Sequence, residues 1–229
     1  DLNSNNLNIR LKTKLSDKFT FDTKLNYIRE DTNYALAGGE GYENPIRALY
    51  KVPTNIASSD AQQYEFTDAE GVVRQHFWAP NNNAPGNPYW NLNNIGNDLV
   101  QERVIGLMSL QYQITPELSL LGRTSLDRFN STQEYRWHND SYIIADNGWF
   151  RSNNLKGFEW NTDFLLNYNK SFSDNFSVNA NFGGNIRKNE NERLTVNPTR
   201  SNFLNVPNLF SLGNTALVGA TEAFSQKEV

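Results

Sequence analysis

The stretch "HFWAPNNNAPGNPYWNLNN" at 76–94 sets His76, Phe77, Trp78, Tyr89 and Trp90 among asparagines, prolines and a glycine. Exposed rings beside amides suit stacking against sugar faces or contact with peptide, because the ring supplies apolar area while the amides bond polar groups. A second stretch adds Tyr135, Trp137, His138, Tyr142, Trp149 and Phe150. The same rings would also serve as small hydrophobic cores tying down long connecting segments. Sequence admits both uses.

Bond-making chemistry has less support. His76 and His138 lie far apart, there is no HExxH and no cysteine, so no metal site or cofactor is expected. The serines of "SSDAQQ" and "LFSLGN" lack the Gly-x-Ser-x-Gly setting of a nucleophile elbow. Glu159 and Asp163 fall in phase on one strand face. A glycosidase, however, needs its two carboxylates to flank one bond at about 5–9.5 Å, and a charged wet surface is the simpler use of this pair. In "TDAEGVV" (67–73) the acidic residues and glycine lack the full calcium-loop pattern, and a small hairpin turning at Asp68 to Gly71 is expected. The chemistry expected of this chain is binding, and it is not expected to be an enzyme.

Composition narrows the class further. The 229 residues carry a net charge of −4 with 20% charged residues, which offers no basic surface to a phosphate backbone and argues against nucleic-acid binding. No apolar run approaches the ~20 residues of a membrane helix, a statement that leaves membrane strands untouched. The chain starts at Asp1, shows no signal peptide and enters a strand pattern within a few residues, so it reads as a piece of something longer.

The elements that would carry the loops alternate with period two, the periodicity of a pleated strand. Six segments do so: 6–15, 19–29, 103–114, 118–129, 158–168 and 176–186. In the first, Leu7, Ile9, Leu11 and Leu15 oppose Asn8, Arg10, Lys12 and Lys14. In the fifth, Phe158, Trp160, Phe164 and Leu166 oppose Glu159, Asn161 and Asp163, and the sixth sets Asn179 and other asparagines against Phe176, Val178 and Phe182. The third and fourth are mixed, with Ile105, Leu107 and Leu121 on the otherwise polar side.

Short and long connections alternate strictly. "SDK" (16–18), "TPE" (115–117) and roughly "NKSFSDN" (169–175) are near hairpin length, whereas about 30–102, 130–157 and 187 to the end are long. A meander of this kind puts all tight turns at one end and all large loops at the other. Eleven residues rising about 3.3 Å each, tilted about 40°, span about 28 Å, close to a membrane's hydrocarbon zone. The expected fold is therefore all-β, an antiparallel up-and-down transmembrane β-barrel segment with long extracellular loops. Arg10, Lys12, Asp22, Lys24, Arg123, Glu159, Asn161, Asp163 and Asn179 would face a wet lumen. Phe19, Tyr168, Phe172 and Phe176 would form an aromatic belt near the short turns, with Tyr27, Phe129 and Phe158 at the other rim. The rival is a secreted carbohydrate-binding β-sandwich, which explains the alternation but not the one-sided loops.

Several segments, taken in order, resemble the barrel of the SusC/RagA family of TonB-dependent outer-membrane transporters of Bacteroidetes. They are "NNLNIRLKTKLSDKFTFDTKLNY" (5–27), "ENPIRALYKVPTN" (43–55), "NPYWNL" (87–92), "ERVIGLMSLQYQITPELSLLGRTSLD" (102–127) and "LLNYNKSFSDNFSVNANFGGNI" (165–186). "NLFSLGNT" (208–215) before "FSQKEV" (224–229) resembles an approach to another strand. The resemblance implies about six strands of a barrel of about 22, with residues 1–229 as a partial barrel domain lacking plug and C-terminal strands. It also implies an outer-membrane location and import of glycan or peptide fragments. The implied partners are a SusD-like surface lipoprotein lid, TonB acting through the missing N-terminal region, and outer-membrane lipid. Its loop residues His76, Phe77, Trp78, Tyr89, Trp90, Trp137, His138 and Trp149 would meet substrate or lid.

Overall fold

A computed structural model of the chain describes residues 1–35, 39, 41–77, 86–141, 147–197, 203–216 and 219–228. One antiparallel sheet dominates. Its strands are β1 (Leu2–Lys14), β2 (Phe19–Thr32), β5 (Ile95–Gln113), β6 (Leu118–Trp137), β7 (Trp149–Ser173), β8 (Phe176–Val196) and β9 (Ala220–Glu228), hydrogen-bonded in that order. Between β2 and β5 lie α1 (Pro45–Tyr50), α2 (Ser58–Gln62), the hairpin strands β3 (Glu65–Thr67) and β4 (Val73–Gln75), and α3 (Pro88–Asn94). The sheet is an open meander, with β1 at one edge and β9 at the other.

The three tight reversals share one end. In the first two, the strand-closing amide pairs recur: Leu15 N–H donates to the Phe19 carbonyl at 2.9 Å, and Ile114 N–H to the Leu118 carbonyl at 2.9 Å. Ser16 and Thr115 each bond backbone N–H groups two or three residues on, which is why a small hydroxyl residue stands at both places. The third reversal is tighter than expected, since β7 runs on to Ser173 and only Asp174 and Asn175 turn the chain, beside a bulge at Ser171/Ser173.

All six expected strands form, and each extends further at the end of the sheet that carries the long connections. These shrink to 33–94, 138–148 and 197–219, and a seventh strand, β9, pairs with Lys188–Val196 of β8. Tyr135, Trp137, Trp149 and Phe150 accordingly stand on strand ends.

Register places facing residues of neighbouring strands on the same side. One side carries rows such as Thr13, Phe21, Leu110, Gly122, Phe164 and Gly184, and Leu11, Thr23, Met108, Thr124, Thr162 and Ile186. It is apolar from the Phe19/Tyr112 row, where the two rings stack at 4.4 Å, up to the Tyr27/Val104 row, apart from Lys188 in the Leu25 row and Arg128 and Glu190 in the Tyr27 row. Eight residues of rise, tilted about 40°, make this band about 20 Å tall before side-chain ends are added. Its threonines bond within the sheet: Thr124 and Thr162 hydroxyls lie 2.8 Å apart, and Thr23 Oγ1 donates to the Leu107 carbonyl at 3.0 Å.

Among the described residues no second sheet covers this band. Leu7 is 53% exposed, Phe164 45% and Phe182 69%, where a sandwich would bury all three. The buried cluster of Trp90, Trp137, Trp149, Phe150 and Leu204 lies instead among the connections at the other end of the sheet.

Phe129 departs from the rim position expected of it. It belongs to the polar side, where its ring lies against Gly157, and a Cβ at 157 would be 2.0 Å from Phe129 Cε1. No helix among the described residues is long and apolar enough to cross a membrane.

Candidate functional site

The polar side of the sheet is a wall of paired charges. Arg10 Nη2 lies 2.7 Å from Asp22 Oδ2, Arg123 Nε 2.9 Å from Asp163 Oδ1, and Arg187 Nη2 2.6 Å from Glu159 Oε2. Arg103 donates to Asp127 at 2.9 Å in a further pair that alternation alone did not single out. Asn161 accepts from Asn185, while Asn179 faces Asn169 near the tight-turn end. Lys12 stands opposite Asp22, and Lys24 is opposite Leu107. All nine residues expected on this side are on it.

The pairs stay half-exposed, so each contributes about 0–1 kcal/mol and their larger effect is to hold the wall's charged groups in place. Toward the loop end, Ile28, Glu30, Gln101, Arg103, Phe129 and Ser131 line an open cavity of about 470 Å³, an apolar island between charged walls.

Above the wall the connections interlock. Asn44 and Asn87 precede Pro45 and Pro88, and each side chain accepts the N–H two residues on, capping α1 and α3 at 2.9 Å. Asn87 is fully buried and donates to the carbonyls of Ala61 and His76 at 2.8 and 3.0 Å. Asn139 N–H donates to Asn208 Oδ1 at 2.7 Å and Asn147 Nδ2 to the Leu204 carbonyl at 2.9 Å, fastening the third connection to the second. Asp140, Asn147, Asn197 and Asn208 all adopt positive φ, which Asn and Asp tolerate best after glycine. At Gly148 (φ 100°) a Cβ would meet the Trp137 carbonyl at 2.7 Å, so glycine is required there.

The rings expected to meet substrate or lid divide into two sets. Trp90 is fully buried and donates from Nε1 to Ser141 Oγ at 2.8 Å. Trp137 and Trp149 cross edge to face at 5.3 Å, both buried. The expectation of contact is corrected for these three: they are loop core, because connections this long need an apolar anchor and their largest rings supply it. His138 is half-buried between Trp90 and Phe210, with ring centres 6.4 and 5.1 Å away. Burial pushes its pKa down, opposed by Glu65.

Besides His138, three of the described rings in this group keep accessible surface. His76 is exposed, with Nδ1 2.9 Å from the Gln63 carbonyl, while Phe77 and Tyr89 are half-exposed. Trp78 and Tyr142 lie outside the described residues. The "TDAEGVV" segment forms the expected hairpin: Asp68 Oδ1 accepts the N–H groups of Glu70 and Val72 at 3.1 and 2.8 Å, and Oδ2 pairs with Arg74 at 2.8 Å. That hydrogen bond from Arg74, with the Val72 amide, holds the Asp68 carboxyl below the usual range. No cluster of three or more potential metal ligands occurs among the described residues.

No family model and no curated protein matches the chain. Solved structures do. The RagAB peptide importer in its closed-closed state superposes with a TM-score of 0.60 at 11% identity, covering 98% of this chain and 25% of that one. Its open-open state gives 0.60 at 12% identity with the same coverage. The chain thus spans a quarter of the length of these structures. At such identity the likeness is one of fold: the meander with one-sided loops is the architecture of part of that importer.

Proposed function

We propose that this chain forms part of the wall and the external loops of an outer-membrane importer of the SusC/RagA type, in which cargo is bound and passed on without covalent change. The observation that carries this reading is a single sheet with two unlike faces. A continuous apolar band stands open on one side, and a lattice of ion pairs occupies the other. An apolar surface of that extent requires cover, and lipid covers a band of about this height without a second protein layer. Backbone groups in hydrocarbon pair between strands, and the charged side then faces water.

In this reading the tight turns face the periplasm and the interlocked connections face outward. Cargo is a peptide or an oligosaccharide. The accessible rings His76, Phe77 and Tyr89, together with Trp78 and His138, meet cargo or a SusD-like lipoprotein lid. The wall residues Arg10, Lys12, Asp22, Lys24, Arg123, Glu159, Asn161, Asp163 and Asn179 line the lumen or hold a plug. Energy comes from TonB through a region outside this chain.

Fractionation of cells making the protein that carries this chain tests the assignment. Recovery in the outer membrane, extraction only with detergent, and co-purification of a surface lipoprotein are expected. A species that is monodisperse in plain buffer would sink it and favour a secreted binding module.

A further inference from the structure

On the apolar side of the sheet, Arg128, Lys156, Phe158, Glu190, Glu192 and Phe224 line a cavity of about 230 Å³. It lies where the apolar band ends. Arg128 stands in register between Val104 and Phe158, in the band's last row, which ends on Glu190 beyond Phe158, and the next row holds Glu102, Asn130, Lys156 and Glu192. A cation in such a row is out of place unless something anionic meets it.

The cavity lining holds two cations, Arg128 and Lys156, and two carboxylates, Glu190 and Glu192, and they are not paired one to one. Glu192 has Lys156 at 3.4 Å and Glu190 has Lys188 at 2.7 Å. Arg128 is exposed, and the described residues give it no ion pair within 4.0 Å. It is the lining cation that no carboxylate engages. The Lys156–Glu192 pair is long and half-exposed, so it holds Lys156 weakly and leaves the ammonium free to re-aim.

We propose that this cavity holds the phosphorylated headgroup of a glycolipid in the outer leaflet, an inference that rests on the membrane-wall reading above. The Arg128 guanidinium presents a fork matching two phosphate oxygens, and Lys156 adds a second cation. Glu190 and Glu192 on the opposite wall accept hydrogen bonds from sugar hydroxyls and keep a second phosphate off that side. Phe158 and Phe224 supply the apolar floor along which the first methylenes of an acyl chain lie. Basic pockets at headgroup depth, backed by an apolar surface, are the general form of such sites.

The test uses the protein that carries this chain, purified from membranes in neutral detergent and examined by native mass spectrometry. The probes are lipid A, the same lipid with its phosphates removed, and inorganic phosphate. Wild type is expected to retain lipid A, and Arg128→Gln with Lys156→Gln to lower the retained fraction about tenfold. The dephosphorylated lipid should bind wild type no better than lipid A binds the double variant, and excess inorganic phosphate should displace nothing. Equal retention by wild type and variant, or equal binding of the two lipids by wild type, overturns the proposal, and so does displacement by inorganic phosphate. The comparison of the two lipids on wild type decides even where the variant fails to fold. Failure of the membrane-wall reading is separate, since the protein would then not fractionate with outer membranes at all.

Discussion

The Gln75 N–H donates to Asp140 Oδ2 at 2.6 Å, and Gln75 Nε2 donates to the Asp140 carbonyl at 3.0 Å, a double tie between residues 65 positions apart. Gln75 Oε1 in turn accepts the Asn87 N–H at 2.5 Å, so the hairpin β3–β4, the start of α3 and the β6–β7 connection share one knot. Replacing Asp140 by Ala removes a charged acceptor and leaves a half-buried N–H unpaired, a cost of about 2 kcal/mol. The expected result is faster amide exchange at Gln75 and Asn87 while the strands keep their protection. Unchanged exchange at those amides would mean that the connections are held by something else.

Packing and contact separate at adjacent residues. Trp90 is closed inside the loop core, and Trp90→Ala should cost about 3–5 kcal/mol of local stability. Protease cutting within 33–94 would report that loss. Tyr89, next to it, is half-exposed, and its hydroxyl accepts only a long bond of 3.5 Å from Gln62. Tyr89→Ala should leave protease resistance unchanged and weaken cargo or lid binding. A protease-sensitive Tyr89 variant would reassign that ring to the core as well.

His138 should make the loop core sensitive to acid. Its pKa is pushed below the ordinary 6.5 by burial against Trp90 and Phe210, so the folded connections bind this proton less readily than the unfolded chain does. Stability from this group is complete above pH 6.5 and falls as the pH drops from there through the lowered folded value. Tryptophan fluorescence or exchange at 138–148 should show loosening on mild acidification, and His138→Gln should remove that part of the response. An identical acid response in the variant would place the sensitivity elsewhere.

The strands were legible where their two faces differ, and only there. Between Phe19 and Tyr27, lipid-like and water-like residues alternate, and period two is plain. From Arg128 to Trp137 both faces of β6 are polar or mixed, so the pattern fades although the hydrogen-bond ladder to β7 continues without a break. The seventh strand, "ATEAFSQKE", hides for the same reason. The nine wall residues followed from alternation, whereas the fate of each tryptophan depended on long-range packing that spacing does not encode. The loop staples carried a partial signal: both Asn-Pro dipeptides that cap helices stand in the sequence at 44–45 and 87–88. Their partners across the fold, such as Asn208 for Asn139, do not.

Adjacent residues on β5 test the sidedness directly. Met108 stands in the middle row of the apolar band, half-exposed, between Thr23 and Thr124, and Ser109 stands on the polar side between Asp22 and Arg123. In the membrane-wall reading an arginine at position 108 would enter hydrocarbon near its midplane, at a cost of about 2–4 kcal/mol. At position 109 the same arginine meets water between Asp22 and Arg123, whose opposite effects offset each other, and the change should stay within about 0.5 kcal/mol. The folded fraction recovered from outer membranes, read by heat-dependent gel mobility, should therefore fall for Met108→Arg and hold for Ser109→Arg. Equal recovery of the two variants would show that the faces do not see different solvents. Loss only at 109 would mean that the polar face is buried against another part of the protein, where an added cation finds no room.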